Sequence, residues 1–312
     1  MVTVVIPTVG RASLRAAIPD GLPVIVVDDR PGEGEPLDVP AHVRVLRSGG
    51  RGPAAARNVG WRAAGTEWVV FLDDDVVPGP GWTERLAADL AVPGIDGSQG
   101  RIEVPLPTDR RPTDAERNTA GLATAEWITA DLAYRRAALE EVGGFEERFP
   151  RAYREDADLA LRLAKAGFRL ARGERVTVHP VRDDGWFASV HRQRGNADDA
   201  LMRRLHGREW RSMIGATGLL PRHALTTLLL LLSGRSRLAF LGWAALTAKF
   251  AWERIEPGPR TPEEIVTMVV TSALIPPAAC FHRLRGELRL RLADTALETA
   301  PALGVQPAEV AS

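Results

Sequence analysis

Three consecutive carboxylates, Asp73-Asp74-Asp75, close the apolar run Trp68-Val69-Val70-Phe71-Leu72 and are the residues best placed by type and spacing to do chemistry. Adjacent carboxylates repel one another unless they share a cation. A hard divalent ion that keeps phosphate oxygens as its other ligands satisfies them, so the triplet reads as a metal and diphosphate site. It reads equally as a solvated turn leading into Pro78-Gly79-Pro80-Gly81, because Asp is common in turns. Further candidates are Asp28-Asp29, the acids of Glu155-Asp156-Ala157-Asp158, and His179. Acids in a first helical turn complement the helix dipole; that accounts for Asp158 but less well for three acids together.

The elements that must position these groups are legible. Val2–Thr8 reads as a first buried strand and Val24–Val27, ending in Asp28-Asp29, as a second, with residues 10–20 supplying a crossover helix. Val43–Leu46 reads as a third strand, and Pro53 opens a helix through Ala54–Trp61. Strand, helix, strand at this spacing predicts a parallel sheet, whose fourth strand is closed by the triple Asp. Five apolar residues in a row mark a strand buried on both faces, and ligands of open α/β sheets collect at the carboxyl ends of such strands. Farther on, a helix over Gly81–Leu90, a strand at Gly97–Val104, a long loop from Pro105 to Arg117, a strand from Trp127 to Tyr134 and a short helix over 135–142 follow. Glu155 opens an amphipathic helix, and Arg175–Val178 is a last strand that delivers His179 to the sheet edge.

Composition bounds the function. Forty basic and forty acidic residues cancel, so net charge gives no field for a nucleic acid. The basic residues are arginine except Lys165 and Lys249, which suits the coding bias of a GC-rich genome. The lone Cys280 excludes an intrachain disulfide and a Cys-based zinc site and suits a cytoplasmic location. No basic segment followed by an apolar core precedes the first strand, which speaks against secretion by a signal peptide. Beyond about residue 190 the apolar runs Ala224–Leu232, Leu238–Ala248 and Ile265–Phe281 alternate with arginines, and Pro276-Pro277 interrupts the last. None reaches the ~20 uninterrupted apolar residues of a spanning helix. They suit helices lying in a membrane interface, with Arg235, Arg237 and Arg283 at anionic headgroups and Leu228–Leu232 in the acyl boundary, or a packed helical cap. The division expected is 1–190, 191–298 and a disordered tail over 299–312.

Ile6-Pro7-Thr8, Val27-Asp28-Asp29, Ala56-Arg57-Asn58 within Gly52–Gly60, Phe71-Leu72-Asp73-Asp74-Asp75, Gly143-Gly144-Phe145-Glu146-Glu147 and Glu155-Asp156-Ala157-Asp158-Leu159 stand in the order and spacing of family 2 glycosyltransferases, which the chain resembles over roughly residues 1–185. The resemblance implies a GT-A fold: α/β, Rossmann-like, with a mostly parallel sheet and flanking helices, here followed by a helical C-terminal segment. It implies that Thr8 and one of Asp28 and Asp29 contact nucleobase and ribose, that Arg57 approaches the nucleotide, and that Asp73-Asp74-Asp75 resembles the DXD motif. In that motif Asp73 lies nearest the ribose, and Asp75 binds Mg²⁺ or Mn²⁺. His179 resembles an additional metal ligand, with His191 its competitor. Asp156 resembles the general base, Glu155 its neighbour or substitute, and Trp127 and Asp131 fall near the acceptor.

The activity implied is inverting transfer of one sugar from a nucleotide-sugar donor to a cell-envelope glycan, lipid-linked or polysaccharide acceptor, at the inner face of the cell membrane. Asp28-Asp29-Arg30-Pro31 departs from the usual Asp-Asp-Gly-Ser, leaving the base open. His191-Arg192-Gln193-Arg194-Gly195-Asn196 lacks the Trp of processive members, favouring a single transfer. The competing readings are a nucleotide- or carbohydrate-binding module without catalysis, and a nucleotidyltransferase. The latter wants a Gly- and Lys-bearing phosphate loop that Val9-Gly10-Arg11-Ala12-Ser13 does not supply.

Overall fold

The computed structural model describes residues 1–32 and 34–299. In chain order its strands are β1 (Val2–Thr8), β2 (Val24–Asp28), β3 (Arg44–Arg47), β4 (Trp68–Leu72), β5 (Val77–Pro78), β6 (Gly97–Glu103), β7 (Asp131–Arg135) and β8 (Leu170–Val178). The helices of the first half are α1 (Leu14–Ala17), α2 (Pro53–Ala63), α3 (Trp82–Leu90), α4 (Asp114–Ala120), α5 (Arg136–Val142) and α6 (Glu155–Lys165). Those of the second half are α7 (Ala188–His191), α8 (Asp198–His206), α9 (Trp210–Met213), α10 (Leu220–Leu232), α11 (Arg237–Ile255) and α12 (Pro262–Thr299).

The strands form one sheet in the order β3-β2-β1-β4-β7-β6-β8-β5. Alternation along each strand explains why β1, β2 and β4 read as continuous apolar runs. Val4, Ile6, Val24, Val26, Val70 and Leu72 face one core with α1 and α3, while Val5, Ile25, Val27, Val69 and Phe71 face a second core with α2, α5 and α6. Helix α2 lies so close to the sheet that a Cβ built on Gly60 would stand 2.2 Å from Val5 Cγ1.

The sheet is mostly parallel, as expected, with two strands reversed. Strands β3, β2, β1 and β4 are mutually parallel, as are β6 and β8, but β7 runs antiparallel to both β4 and β6, and β5 antiparallel to β8. A strand buried on both faces has the same composition in either direction, so the reversal leaves no mark in the sequence.

Local corrections have local causes. The crossover expected over 10–20 is helical only over α1, ahead of Pro19. The Pro105–Arg117 loop gives way to α4 because Thr113 and Glu116 form a reciprocal capping box, a T-x-x-E signal visible in the sequence. The strand expected from Trp127 begins at Asp131, since Trp127 adopts a left-handed φ of 61° and its backbone N–H donates to Gln99 Oε1. Strand β8 starts at Leu170, five residues before the expected Arg175.

The second half packs back on the first. Phe149, Ala157 and Leu161 share a cluster with Leu201, Met202 and Trp210, joining α6 to α8 and α9. Helix α12 runs unbroken through Pro276-Pro277, so the interruption read at that pair is absent. Over Pro262–Asp294 it is long and apolar enough to cross a membrane by length and composition alone, contrary to the expectation that no segment is. Arg283, assigned above to a headgroup, is buried and paired with Glu287 on its own helix. Of the tail expected from Thr299, residues 300–312 lie outside the described residues.

Candidate active site

Three parallel neighbours, β2, β1 and β4, end on the same edge of the sheet, and their last residues meet there. Thr8 at the end of β1 donates its hydroxyl to Asp74 Oδ2 at 2.6 Å. Around this edge opens a cleft of about 360 Å³ lined by Thr8, Asp29, Arg57, Asp73, Asp74, Asp75 and His179, together with Arg11, Leu122, Ala152 and Arg182. Seven residues nominated from sequence are thus brought to one place. The solvated-turn reading of the triplet fails: Asp74 and Asp75 are buried.

The repulsion within the triplet is met by three guanidiniums. Arg57 holds Asp73 at 2.8 Å; one Arg11 nitrogen bridges Asp74 at 2.9 Å and Asp75 at 3.0 Å; Arg182 reaches Asp75 at 2.9 Å. Burial, and then the charge on Asp73, still push the Asp75 carboxyl above the ordinary range. Sequence reading missed Arg11 and Arg182. The signal for Arg11 was its position just after the turn that ends β1, set aside there because the segment is poor in glycine.

Asp28 and Asp29 have different surroundings. The Arg30 guanidinium grips Asp28 through Nε at 2.9 Å and Nη2 at 2.8 Å, which holds its carboxyl below the usual range. Asp29 accepts from Ser48 Oγ at 2.6 Å and from the Gly52 backbone at 2.9 Å and faces the cleft. Gly52 needs its φ of 97° and its missing side chain, because a Cβ there would press on the Pro150 carbonyl at 3.0 Å.

The head of α6 is set by strain and by a buried pair. Arg154, the residue before the helix, sits at a left-handed φ of 78°, held by Asp199 at 3.0 Å and packed over the Trp210 ring. Glu155 follows, fully enclosed, with Oε1 at 2.7 Å from Arg57 Nη1 and Oε2 without a partner. Arg57 therefore bridges the head of α6 to the triple Asp. Asp156 is half-buried beside the cleft rather than in its lining; burial raises its pKa, and a hydrogen bond from the Ala157 backbone N–H at 2.7 Å opposes the rise. Asn58, from the same turn of α2 as Arg57, bonds Phe145 through both backbone groups, and Gly144 at φ 76° comes too close to it for any side chain.

Residues 4–158 match the family described as Glycosyl transferase family 2. The chain is 38% identical over 193 residues to the pre-mycofactocin glycosyltransferase of Mycobacterium tuberculosis, in an alignment covering 54% of this chain and 40% of that protein. The chain belongs to glycosyltransferase family 2. It spans about two fifths of the length of that curated relative. Among solved structures, the mannosyltransferase PcManGT from Pyrobaculum calidifontis, in complex with GDP-Man and Mn²⁺, superposes with a TM-score of 0.55 at 21% identity, covering 91% of this chain and 86% of that one. The fold of this family 2 glycosyltransferase is therefore GT-A.

The protein alone offers a divalent ion few ligands in this family 2 site. Among the described residues no three His, Cys, Asp or Glu side chains gather closely enough to hold an ion. Asp75 Oδ1 and His179 Nε2 do face each other at 3.8 Å, near enough for one ion with bonds of about 2.1 Å to reach both. The carboxylate oxygen suits Mn²⁺ or Mg²⁺ when a diphosphate fills other positions, and the imidazole favours Mn²⁺, the less strictly oxygen-demanding of the two, so the donor set fits Mn²⁺ better.

His191, the competitor of His179, lies away from the triplet and lines a separate cavity. Neither acceptor candidate lines the cleft. Asp131 has no surface at all and accepts from Arg175 Nε, Trp82 Nε1 and Thr177 Oγ1 at 2.6 to 2.7 Å. Its oxygens have nothing left to offer an acceptor. Trp127 is half-buried in the turn before β7.

Proposed function

We propose that the chain is an inverting, metal-dependent glycosyltransferase that moves one sugar from a nucleotide-sugar donor to a glycan, lipid-linked or polysaccharide acceptor. The observation that carries this reading is the cleft at the ends of β1, β2 and β4, where Thr8, Asp29, Arg57, Asp73, Asp75 and His179 meet beside Asp156. The names of the relatives, a pre-mycofactocin glycosyltransferase and a mannosyltransferase holding GDP-Man and Mn²⁺, support it.

In this reading Asp29 and Thr8 meet the nucleoside, and Asp73, kept in place by Arg57, lies against the ribose. Asp75 and His179 would hold the divalent ion, which supplies positive charge to the departing diphosphate. Arg11 and Arg182, both partly exposed, turn from the carboxylates towards phosphate oxygens as these arrive. Asp156 takes the proton of the acceptor hydroxyl as that oxygen attacks the anomeric carbon from the face opposite the diphosphate. Attack by the acceptor itself inverts the anomeric configuration. In the same reading the enzyme works at the cytoplasmic face of the membrane, and the exposed Leu228, Leu231 and Leu232 of α10 support contact with lipid.

One observation favours the rival, a binding module without turnover: Arg11 and Arg182 already pair with Asp74 and Asp75. Calorimetric titration of nucleoside diphosphates and nucleotide sugars, GDP and UDP forms included, with and without Mn²⁺, separates the two. We expect one nucleotide to bind in a Mn²⁺-dependent manner and Asp75→Ala to abolish that dependence. Binding indifferent to Mn²⁺, with no turnover of any donor, sinks the enzyme reading.

A further inference from the structure

Four arginines and two histidines surround a second cavity, of about 510 Å³, on the far side of the 150–152 loop from the donor cleft. Its walls are Pro150, Arg151, His191, Arg194, Arg285 and Arg289, with Val190, Ala197 and His282. No carboxylate lines it. Ala152 lines the donor cleft while Pro150 and Arg151 line this cavity, so one short loop serves both.

Chance exposure of arginine explains this arrangement poorly. Four other arginines of the helical half do find acids: Arg204 pairs with Asp294, Arg211 with Asp199, Arg222 with Glu253 and Arg283 with Glu287. Within the cavity only Arg151 does, leaning on Asp198 at 3.2 Å. Among the described residues Arg194, Arg285 and Arg289 make no ion pair within 4 Å. The two arginine-bearing segments are also forced together. Gly286 of α12 meets the backbone of Ala197 so closely that a Cβ would lie 2.6 Å from its carbonyl oxygen. Like charges gathered by tight backbone packing repel and are stabilised by an anion between them. The same field, with burial the larger cause, pushes His282 towards its neutral form. Guanidinium forks in this number suit phosphate oxygens better than a single carboxylate.

The helix that carries this wall also has an apolar stripe. Phe281, Leu284, Leu288 and Leu292 recur at helical spacing and are 57 to 70% exposed. His282, Arg285 and Arg289 run beside them on the next face of the same helix. A phosphate seated in the cavity would have chain-length apolar surface immediately alongside.

We propose that this cavity is a phosphate site, separate from the donor site, that takes the headgroup phosphate of an anionic lipid while the Phe281–Leu292 stripe of α12 enters the acyl boundary. Free phosphate shares the chemistry, and the experiment distinguishes the two sources. The full chain is sedimented with vesicles of phosphatidylcholine alone and of phosphatidylcholine doped with phosphatidylglycerol. It is also titrated calorimetrically with inorganic phosphate in the absence of metal. Both are repeated on Arg285→Glu/Arg289→Glu, two exposed positions outside the donor site, whose thermal unfolding and nucleotide binding are recorded alongside.

We expect the wild type to partition onto the doped vesicles and the double variant to lose roughly thirtyfold or more of that partitioning, with nucleotide binding unchanged. Phosphate binding lost in the variant without vesicle binding by the wild type would overturn the lipid source and leave a site for free phosphate. Wild type and variant alike in both measurements would overturn the site itself. Because nucleotide binding is measured separately, failure here is distinct from failure of the proposed transfer reaction.

Discussion

Arg57 holds two acids at once. Its guanidinium is 1% exposed and ties Glu155, at the head of α6, to Asp73, at the end of β4. Removing one partner of a buried ion pair leaves an uncompensated charge, which costs about 3–5 kcal/mol. Arg57→Leu should lower the urea unfolding midpoint accordingly, and Glu155→Gln in the same chain should restore much of it, since the stranded charge is then gone. A double variant no more stable than Arg57→Leu would show that the pair is not what matters. Asp156 is tested through its protonation. Burial holds its pKa above the ordinary carboxylate range, and a base must be ionised to work, so kcat/KM should rise with pH through a limb lying above that range. Asp156→Asn should lower kcat by about 10²- to 10⁴-fold and leave nucleotide binding intact, as followed by donor turnover and calorimetry. Retained turnover would remove Asp156 from the reaction.

The elements themselves are held by close approach. Gly60 lets α2 lie on β1 and so fixes the height from which Arg57 reaches Asp73 and Asn58 the Phe145 backbone. In Gly60→Ala the new methyl must displace Val5, an overpacking that costs about 1–3 kcal/mol. Thermal melting should show the loss, and Val5→Ala added to it should recover part, because Val5 Cγ1 is the atom in the way. An undiminished melting temperature would mean that α2 can lift off without cost. Strands β1, β2 and β4 were readable from sequence because all their residues but Val2 are buried, leaving largely apolar runs that end in Thr8 or in acids. Strand β8 was readable only in its second half, since Leu170, Ala171, Arg172 and Glu174 are not wholly covered.

Across the whole molecule the helical half is docked through α6. Asp158, from the same turn as Glu155 and Asp156, is fully buried between Arg162 on its own helix and His206 of α8 at 2.8 Å. Burial by itself would raise its pKa, but hydrogen bonds from His206 and Arg162 more than offset that and hold the carboxyl below its ordinary value. A depressed carboxyl contributes stability that is present above the unfolded pKa of about 4 and is lost as pH falls through the lower folded value. His206→Gln should therefore be less stable than the wild type near neutral pH, and the gap in unfolding free energy should narrow as pH falls below the ordinary carboxylate range. A gap that stays constant into acid would assign the loss to packing rather than to the hydrogen bond with Asp158.

The sequence by itself determined the fold class and, through its resemblance to a family, most of the cleft: Thr8 and Arg57 are nominated by the family's motifs, and Asp29, Asp73, Asp74, Asp75 and His179 also by following the ends of strands. These are local properties, fixed by side-chain period and by which residues end an element. Tertiary structure decided the rest, for a physical reason common to all of it. Which cation answers a carboxylate often depends on where distant segments come to lie, so Arg11 and Arg182 at Asp75 and Arg175 at Asp131 could not be read from spacing. The direction of β7 and the continuity of α12 through two prolines depend likewise on neighbouring strands and helices. Where the energy lies in contacts between segments far apart in the chain, only the folded chain records them.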